Sequence, residues 1–413
     1  MEYGLIGEKL GHSYSPQIHA QLAPYSYVLS PMPREQLHDF MTKADFKGIN
    51  VTIPYKKDVL PYCSALSDDA REIGCVNTIV KRPDGTLYGH NTDIGGFMAM
   101  VRHAGISVEG KKAVILGSGG TCLTASIALR RMSAAEIVVI SRSGENNYQS
   151  LYDHHTDARV LVNTTPVGMY PNNGLSPADL SKLPYLDSVI DVIYNPEKTA
   201  LILDAEKRGL KTVSGLYMLV SQARLAAEKF TGSSISAELD SKVTFSIKQQ
   251  MLNLVLVGMP GCGKTTIGKA LAAKMNRPLI DTDEEIVKLA GKSIPDIFAQ
   301  DGEACFRALE TQVIQEVSKA QGCIITTGGG AVLKEENRSA LRQNSRVCHI
   351  LRPLDMLARD GRPLSQGDNA IEKLWLQRKD LYAACAHYTL NNNTALESAL
   401  LCAMEGFYEA ACH

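Results

Sequence analysis

The segment L-N-L-V-L-V-G-M-P-G-C-G-K-T-T-I, Leu252 to Ile267, decides how the chain is divided. An apolar run, Leu254 to Val257, breaks into Gly258. Two further glycines follow, then Lys264 and Thr265. The spacing fits G-x-x-x-x-G-K-[ST], a loop whose backbone N–H groups converge on nucleotide phosphates. The following helix turns its positive end toward them. The apolar run predicts a strand before the loop, and K-T-T-I-G-K-A-L-A-A-K predicts a helix after it. A nucleotide-binding domain therefore begins past the midpoint, and residues 1 to about 250 form something else.

Bulk properties agree. A chain of 413 residues is too long for one core. Hydrophobic content of 45% and charged content of 21% describe a globular protein. A formal net charge of −1 offers no broad attraction to nucleic acid or to anionic membranes. No apolar run approaches the ~20 residues that span a bilayer. The first residues show no basic-then-apolar export signal. The ten cysteines form no C-x-x-C pair and read as reduced core residues of a cytoplasmic protein.

The first half carries short motifs at strand ends. G-L-I-G-E-K-L-G-H-S-Y-S-P at 4–16 reads as a strand and an extended loop, in which Ser13 and Ser15 point hydroxyls the same way. G-I-N-V-T-I-P-Y-K at 48–56 alternates Ile49, Val51 and Ile53 with Asn50 and Thr52, a half-buried strand stopped by Pro54 and followed by Lys56. G-C-V-N-T and G-H-N-T-D place Asn77 and Asp93 where they could face Lys56. A-V-I-L-G-S-G-G at 113–120 opens a dinucleotide-binding unit. The next strand, Glu136 to Ile140, ends in Ser141-Arg142-Ser143, and an arginine there accommodates the 2′-phosphate of NADP. Residues 160–169 and 188–196 read as two further buried strands, and Gly215 to Ala227 as the start of a helix carrying Gln222.

In order, H-S-Y-S-P, N-V-T-I-P-Y-K, G-C-V-N-T, N-T-D, G-S-G-G, N-T-T-P-V-G-M, D-V-I-Y-N-P and G-L-Y-M-L-V-S-Q-A resemble shikimate dehydrogenase from Gly4 to about Phe245. The resemblance implies a two-lobed α/β enzyme. Residues 1–95 with 220–249 would form the substrate lobe, and 96–219 a Rossmann-like NADP lobe. Ser13, Ser15, Thr52, Asn77, Tyr194 and Gln222 would hold substrate, and Lys56 with Asp93 would be the catalytic pair. Gly117, Ser118, Gly119, Gly120, Thr121, Arg142, Val192 and Gly215 would bind NADP. There are two departures. S-R-S replaces the usual N-R-T, and the interval from Arg142 to Asn163 has room for one helix, so a trimmed cofactor lobe is expected.

In the second half, R-P-L-I-D-T-D at 277–283 ends a strand in Asp281 and Asp283. Carboxylates there can hold Mg²⁺ or take a proton from an acceptor hydroxyl. Asp283 also reads as a helix cap. With G-E-A-C-F-R-A-L-E, the triple glycine at 328–330, G-R-P-L and R-K-D-L-Y, residues 252 to about 400 resemble shikimate kinase. The resemblance implies a P-loop α/β domain over 250–413. Gly261, Cys262, Gly263, Lys264, Thr265 and Thr266 would bind ATP, and Arg362 would reach it from a lid. Thr265 and Asp281 would hold Mg²⁺. Asp283, Arg307, Gly328, Gly329, Gly330 and Arg378 would bind shikimate, with Asp283 and Lys264 catalytic. The lid, R-D-G-R-P-L, is shorter than usual.

The expected protein converts 3-dehydroshikimate to shikimate with NADPH and phosphorylates shikimate with ATP and Mg²⁺. It has no nucleic-acid or membrane partner, and homo-oligomerisation is left open. The competing readings are a quinate enzyme using NAD, a first half that senses shikimate without chemistry, and a second half of the adenylate- or gluconate-kinase type.

Overall fold

A computed structural model describes residues 1–11, 13–358, 370–393 and 395–410. The described chain divides into two compact units. The first comprises Met1–Val167, Ser176–Tyr194 and Asp204–Ile247; the second comprises Gly168–Leu175, Asn195–Leu203 and the residues from Lys248 onward.

The first unit holds two sheets. One is built from β1 (Tyr3–Gly7), β2 (Tyr27–Pro31), β3 (Gly48–Val51), β4 (Ala65–Leu66), β5 (Thr78–Lys81) and β6 (Leu87–His90) in the order β2-β1-β3-β5-β6-β4. β3 runs parallel to β1 and antiparallel to β5, and β5 antiparallel to β6. The carboxyl ends of β1, β3 and β6 and the amino end of β5 therefore share one edge of the sheet. The segments after β1, after β3, before β5 and after β6 are those that carry Ser13, Lys56, Asn77 and Asp93.

Two expectations for this lobe change. β3 stops at Val51, and its four residues are buried on both faces, Asn50 included. The alternation predicts one wet face, but both faces of this strand are covered. Ile53 lies beyond the strand and is 76% exposed. Ser15 opens the helix Ser15–Leu22 rather than continuing an extended loop.

The second sheet is parallel throughout: β7 (Lys112–Leu116), β8 (Glu136–Ile140), β9 (Val160–Asn163), β10 (Ser188–Asp191) and β11 (Lys211–Val213), in the order β11-β10-β9-β7-β8. β9 and β10 are buried at every position, as strands covered on both faces must be. A full doubly wound half-pair has the order 3-2-1-4-5-6. Among the described residues no strand lies outside β8, and a single helix, Tyr148–His154, fills the interval after Arg142. The trimmed crossover is thus one absent edge strand. Helix Leu216–Thr231 ties the lobes together: Phe230 packs with Leu5 and Tyr27 of the first sheet, and Met218 packs on the core beneath β7.

The second unit's sheet is also parallel: β12 (Asn253–Val257), β13 (Leu279–Asp281), β14 (Ile324–Thr326), β15 (Ser345–Leu351) and β16 (Tyr388–Asn391), in the order β13-β14-β12-β15-β16. Leu254 to Val257 are at most 1% exposed. Each such side chain contributes roughly 1.5–3 kcal/mol when fully buried, which explains why this run is uninterrupted. Helix Lys264–Met275 follows the phosphate loop as expected. Five described cysteines are buried, but Cys63, Cys75 and Cys305 are half-buried and Cys402 is exposed, so not all are core residues. No helix among the described residues is long and apolar enough to cross a membrane.

Candidate active sites

In the first unit a cavity of about 380 Å³ is lined by Ser13, Ser15, Thr52, Lys56, Asn77, Asp93, Tyr194 and Gln222, together with Thr121, Val192 and Gly215. Every residue expected to hold substrate is in this lining, alongside three of those expected to hold the cofactor. Lys56 Nζ donates to Asp93 Oδ2 at 2.6 Å. Burial pulls the ammonium down, but the Asp93 charge and hydrogen bond outweigh it and hold Lys56 above the ordinary lysine range. The lysine therefore stays protonated while 30% of its side chain remains open to the cavity. Asn77 Nδ2 donates to Asp93 Oδ1 at 2.9 Å. Ser13 and Ser15 hydroxyls meet at 3.0 Å. Burial pushes the Tyr194 phenol up, so it remains a donor.

Gly117 to Gly120 form the turn from β7 into helix Gly120–Arg131. Gly215 approaches β10's exit closely: a Cβ there would lie 2.0 Å from the Val192 carbonyl oxygen. The cradle beside Thr121 and Val192 thus requires glycine and fits a bound dinucleotide. Arg142 is exposed in the loop after β8, outside the cavity lining. Asn50, Lys9 and Leu219 also line the cavity and escaped the sequence reading.

In the second unit a cavity of about 590 Å³ sits at the carboxyl ends of the strands. Gly261, Gly263, Lys264, Thr265 and Thr266 line one part; Asp281, Asp283, Arg307, Gly328, Gly329, Gly330 and Arg378 line the rest. Cys262 does not: its side chain is buried and its carbonyl accepts from Asn392 Nδ2 at 2.8 Å. Lys264 Nζ donates to the carbonyls of Gly258 and Met259, both at 2.9 Å, which centres the ammonium in the loop. Asp281 Oδ2 accepts from Thr265 Oγ1 at 3.2 Å and from Thr326 Oγ1 at 2.7 Å. Hydroxyl and carboxylate oxygens at a phosphate loop are the donor set Mg²⁺ prefers.

The helix cap is Asp281, which accepts from the Asp283 N–H at 3.0 Å; Asp283 is left for the cavity. Asp283 Oδ1 has no hydrogen-bond partner among the described residues. Burial, aided by the neighbouring Asp281 charge, raises its carboxyl to about 6. A Cβ on Gly328 would sit 2.7 Å from that oxygen, so the first of the three glycines is demanded by the carboxylate's approach. Arg307 donates to Glu310 at 2.7 Å and to Glu303 at 3.1 Å. Arg378 Nη1 and Tyr382 OH both donate to the Gly329 carbonyl, at 3.1 and 2.5 Å. Glu310, Tyr382 and Arg352 were missed; Glu310 and Tyr382 follow their arginines by three and four helical positions, which was the available signal. Arg362 and its lid lie outside the described residues.

Two family models match: the shikimate dehydrogenase substrate binding domain over residues 5–79 and shikimate kinase over residues 260–404. The chain is 34% identical over 272 residues to a shikimate dehydrogenase (NADP(+)) of Clostridium perfringens, covering 60% of this chain and 98% of that protein. It is 38% identical over 255 residues to one from Caldicellulosiruptor bescii, covering 53% and 85%. Among solved structures, a chorismate mutase/shikimate 5-dehydrogenase fusion protein from Clostridium acetobutylicum superposes with a TM-score of 0.55 at 36% identity, covering 60% of this chain and 97% of that one. A shikimate 5-dehydrogenase from Thermus thermophilus, solved in complex with NADP(H) and shikimate, gives 0.53 at 29%, covering 59% and 98%.

Proposed function

The chain belongs to the shikimate dehydrogenase family and carries a shikimate kinase domain over residues 260–404, and from this we propose that it performs two consecutive steps on one ring acid. The first unit reduces 3-dehydroshikimate to shikimate with NADPH. The second transfers the γ-phosphoryl group of ATP to the 3-hydroxyl. The observation that carries the reading is the composition of the two cavities. One joins the Lys56–Asp93 pair to the cofactor cradle, and the other joins Lys264 to Asp283, Arg307 and Arg378.

In the first cavity, Ser13, Ser15 and Tyr194 offer hydroxyls to the substrate carboxylate, and Thr52, Asn77 and Gln222 address the ring oxygens. NADPH, when bound, supplies the hydride. Reduction of the carbonyl builds negative charge on its oxygen. Lys56 stabilises that charge and gives up a proton, and Asp93 keeps the ammonium charged and aimed until then. Arg142 stands where a 2′-phosphate is selected.

In the second cavity, Arg307 and Arg378 take the substrate carboxylate through charge-assisted hydrogen bonds. Glu310 and Glu303 hold the Arg307 fork in place. Asp283 Oδ1 accepts the 3-hydroxyl proton. The hydroxyl oxygen bonds to the γ-phosphorus as the β–γ bridge breaks and ADP leaves. Lys264 neutralises the phosphates, and Thr265 with Asp281 would hold Mg²⁺, most of whose shell comes from water and phosphate. We place the protein in the cytoplasm, which suits the free cysteines among the described residues.

The test uses the full-length chain. NADPH consumption with 3-dehydroshikimate and ADP release with shikimate should both be measurable. Absence of either from folded protein overturns that half of the reading.

A further inference from the structure

We infer that Thr78 is a positioning residue for the proton transfer at Lys56: with the Thr92 backbone N–H, its hydroxyl holds the Asn77 amide oxygen so that the NH₂ stays aimed at Asp93. The inference rests on the dehydrogenase reading of Lys56 and Asp93.

The orientation follows from groups that can only donate or only accept. The Thr92 backbone N–H lies 2.9 Å from Asn77 Oδ1, so that atom must be the amide oxygen. The NH₂ is thereby turned to Asp93 Oδ1 at 2.9 Å and Thr92 Oγ1 at 3.0 Å. On the neighbouring strand, Asn50 pairs directly with Thr78 across β3 and β5. Asn50 Nδ2 lies 3.2 Å from the Asn77 backbone carbonyl, which can only accept. Asn50 therefore turns its NH₂ that way, and the same NH₂ donates to Thr78 Oγ1 at 3.0 Å. The Tyr27 hydroxyl closes the far end by donating to Asn50 Oδ1 at 2.7 Å. With its oxygen occupied by Asn50, Thr78 spends its single hydrogen on Asn77 Oδ1 at 3.0 Å.

The chain ends on Asp93. One carboxylate oxygen receives Asn77 and the other receives Lys56. Both oxygens face donors, so the carboxylate serves as acceptor for Asn77 and Lys56, and Lys56 is the group placed to give up a proton. Thr78 is fully buried and does not line the cavity, so it acts through Asn77. Without the Thr78 bond the amide oxygen keeps only Thr92, the amide is held less tightly, and its NH₂ aims less well at the carboxylate that pairs with Lys56. The other ionisable groups around the ammonium are Cys75, on the turn before β5 with Lys57 beside it, and Lys9 and Tyr194 in the lining of the same cavity.

The experiment measures reduction of 3-dehydroshikimate from pH 6 to 12 for the full-length chain and for Thr78→Val and Thr78→Ser. Thr78→Val should lower kcat about tenfold and move the alkaline limb, where Lys56 loses its proton, down by about one pH unit, which is a tenfold change in that equilibrium. Its KM for NADPH should stay within about twofold of the parent value. Thr78→Ser should restore both kcat and the limb. A merely structural role would lower activity without moving the limb. An unmoved limb, or a serine variant no better than valine, overturns the inference. Should the valine variant not fold, Asn50→Ala interrupts the same chain one step back: its limb should move the same way, and an unmoved limb overturns the inference. Lys56→Met separates the two claims. If it keeps turnover, the dehydrogenase reading itself fails; if it abolishes turnover while the Thr78→Val limb stays put, only the role of Thr78 fails.

Discussion

The Lys56 ammonium lies 2.6 Å from the Asp93 carboxylate although the two are 37 positions apart. One side chain follows β3 and the other opens helix Asp93–His103 after β6. Sheet topology alone brings them together, because β3 and β6 end on the same edge.

Lys56→Met removes the proton donor and the charge that faces the developing oxyanion. General acid catalysis contributes typically 10²–10⁴-fold, so kcat for dehydroshikimate reduction should fall by about that factor. Asp93→Asn should fall less and shift the pH profile. Phosphorylation of shikimate by the same proteins should be unchanged. Steady-state assays of both reactions check this.

Arg142→Ala removes the cation after β8 without touching the substrate cavity. A charge-assisted contact is worth about 1.5–3 kcal/mol, so KM for NADPH should rise at least about tenfold. KM for NADH should barely move. Parallel titrations with the two cofactors read the difference.

The kinase half should lose activity in acid. Burial raises the Asp283 carboxyl to about 6, above the unfolded value of 3.8. The ionised form is the one that accepts the hydroxyl proton, so activity is present above that pH and falls as pH drops through it. The kcat/KM for shikimate should therefore show an acidic limb around 6 rather than near 4, because it reports the free enzyme. Asp283→Asn should abolish turnover at every pH.

Asp240 is 1% exposed and accepts from Arg224 Nε at 2.8 Å and Ser221 Oγ at 2.6 Å, joining helix Leu216–Thr231 to helix Glu238–Met251. Asp240→Ala leaves Arg224 buried without this partner. Breaking a buried pair costs about 3–5 kcal/mol when a charge is left uncompensated, and Glu228, 2.9 Å from Arg224, keeps the cost below that. Chemical denaturation followed by dehydrogenase activity should show a lower midpoint for the first unit.

Much of this was readable before any coordinates. A strand, a glycine turn and a helix are local features, so the segment around Lys264 announces itself, and ordered strand-end motifs placed Lys56, Asn77 and Asp93 together. What escaped depends on neighbours far along the chain. Asn50 looked like a wet-face residue because period-two alternation does not say that β3 is interior, and Tyr27 and Thr78, which satisfy its amide, are 23 and 28 positions away. Asp283 reads both as the group that takes the hydroxyl proton and as a cap, because two aspartates stand at the start of one helix; only the backbone shows Asp281 taking the cap bond. Glu310 is an ordinary helical glutamate until the fold buries it against Arg307.

The central claim is that one polypeptide acts twice on the same ring acid. The most direct test supplies full-length protein with 3-dehydroshikimate, NADPH, ATP and Mg²⁺, and follows NADPH loss, ADP release and product mass. The account predicts shikimate 3-phosphate, with Lys264→Ala stopping at shikimate and Lys56→Met forming both products at least about a hundredfold more slowly. Phosphorylated product from the Lys264→Ala protein, or loss of both activities in that variant while it remains folded, would contradict it.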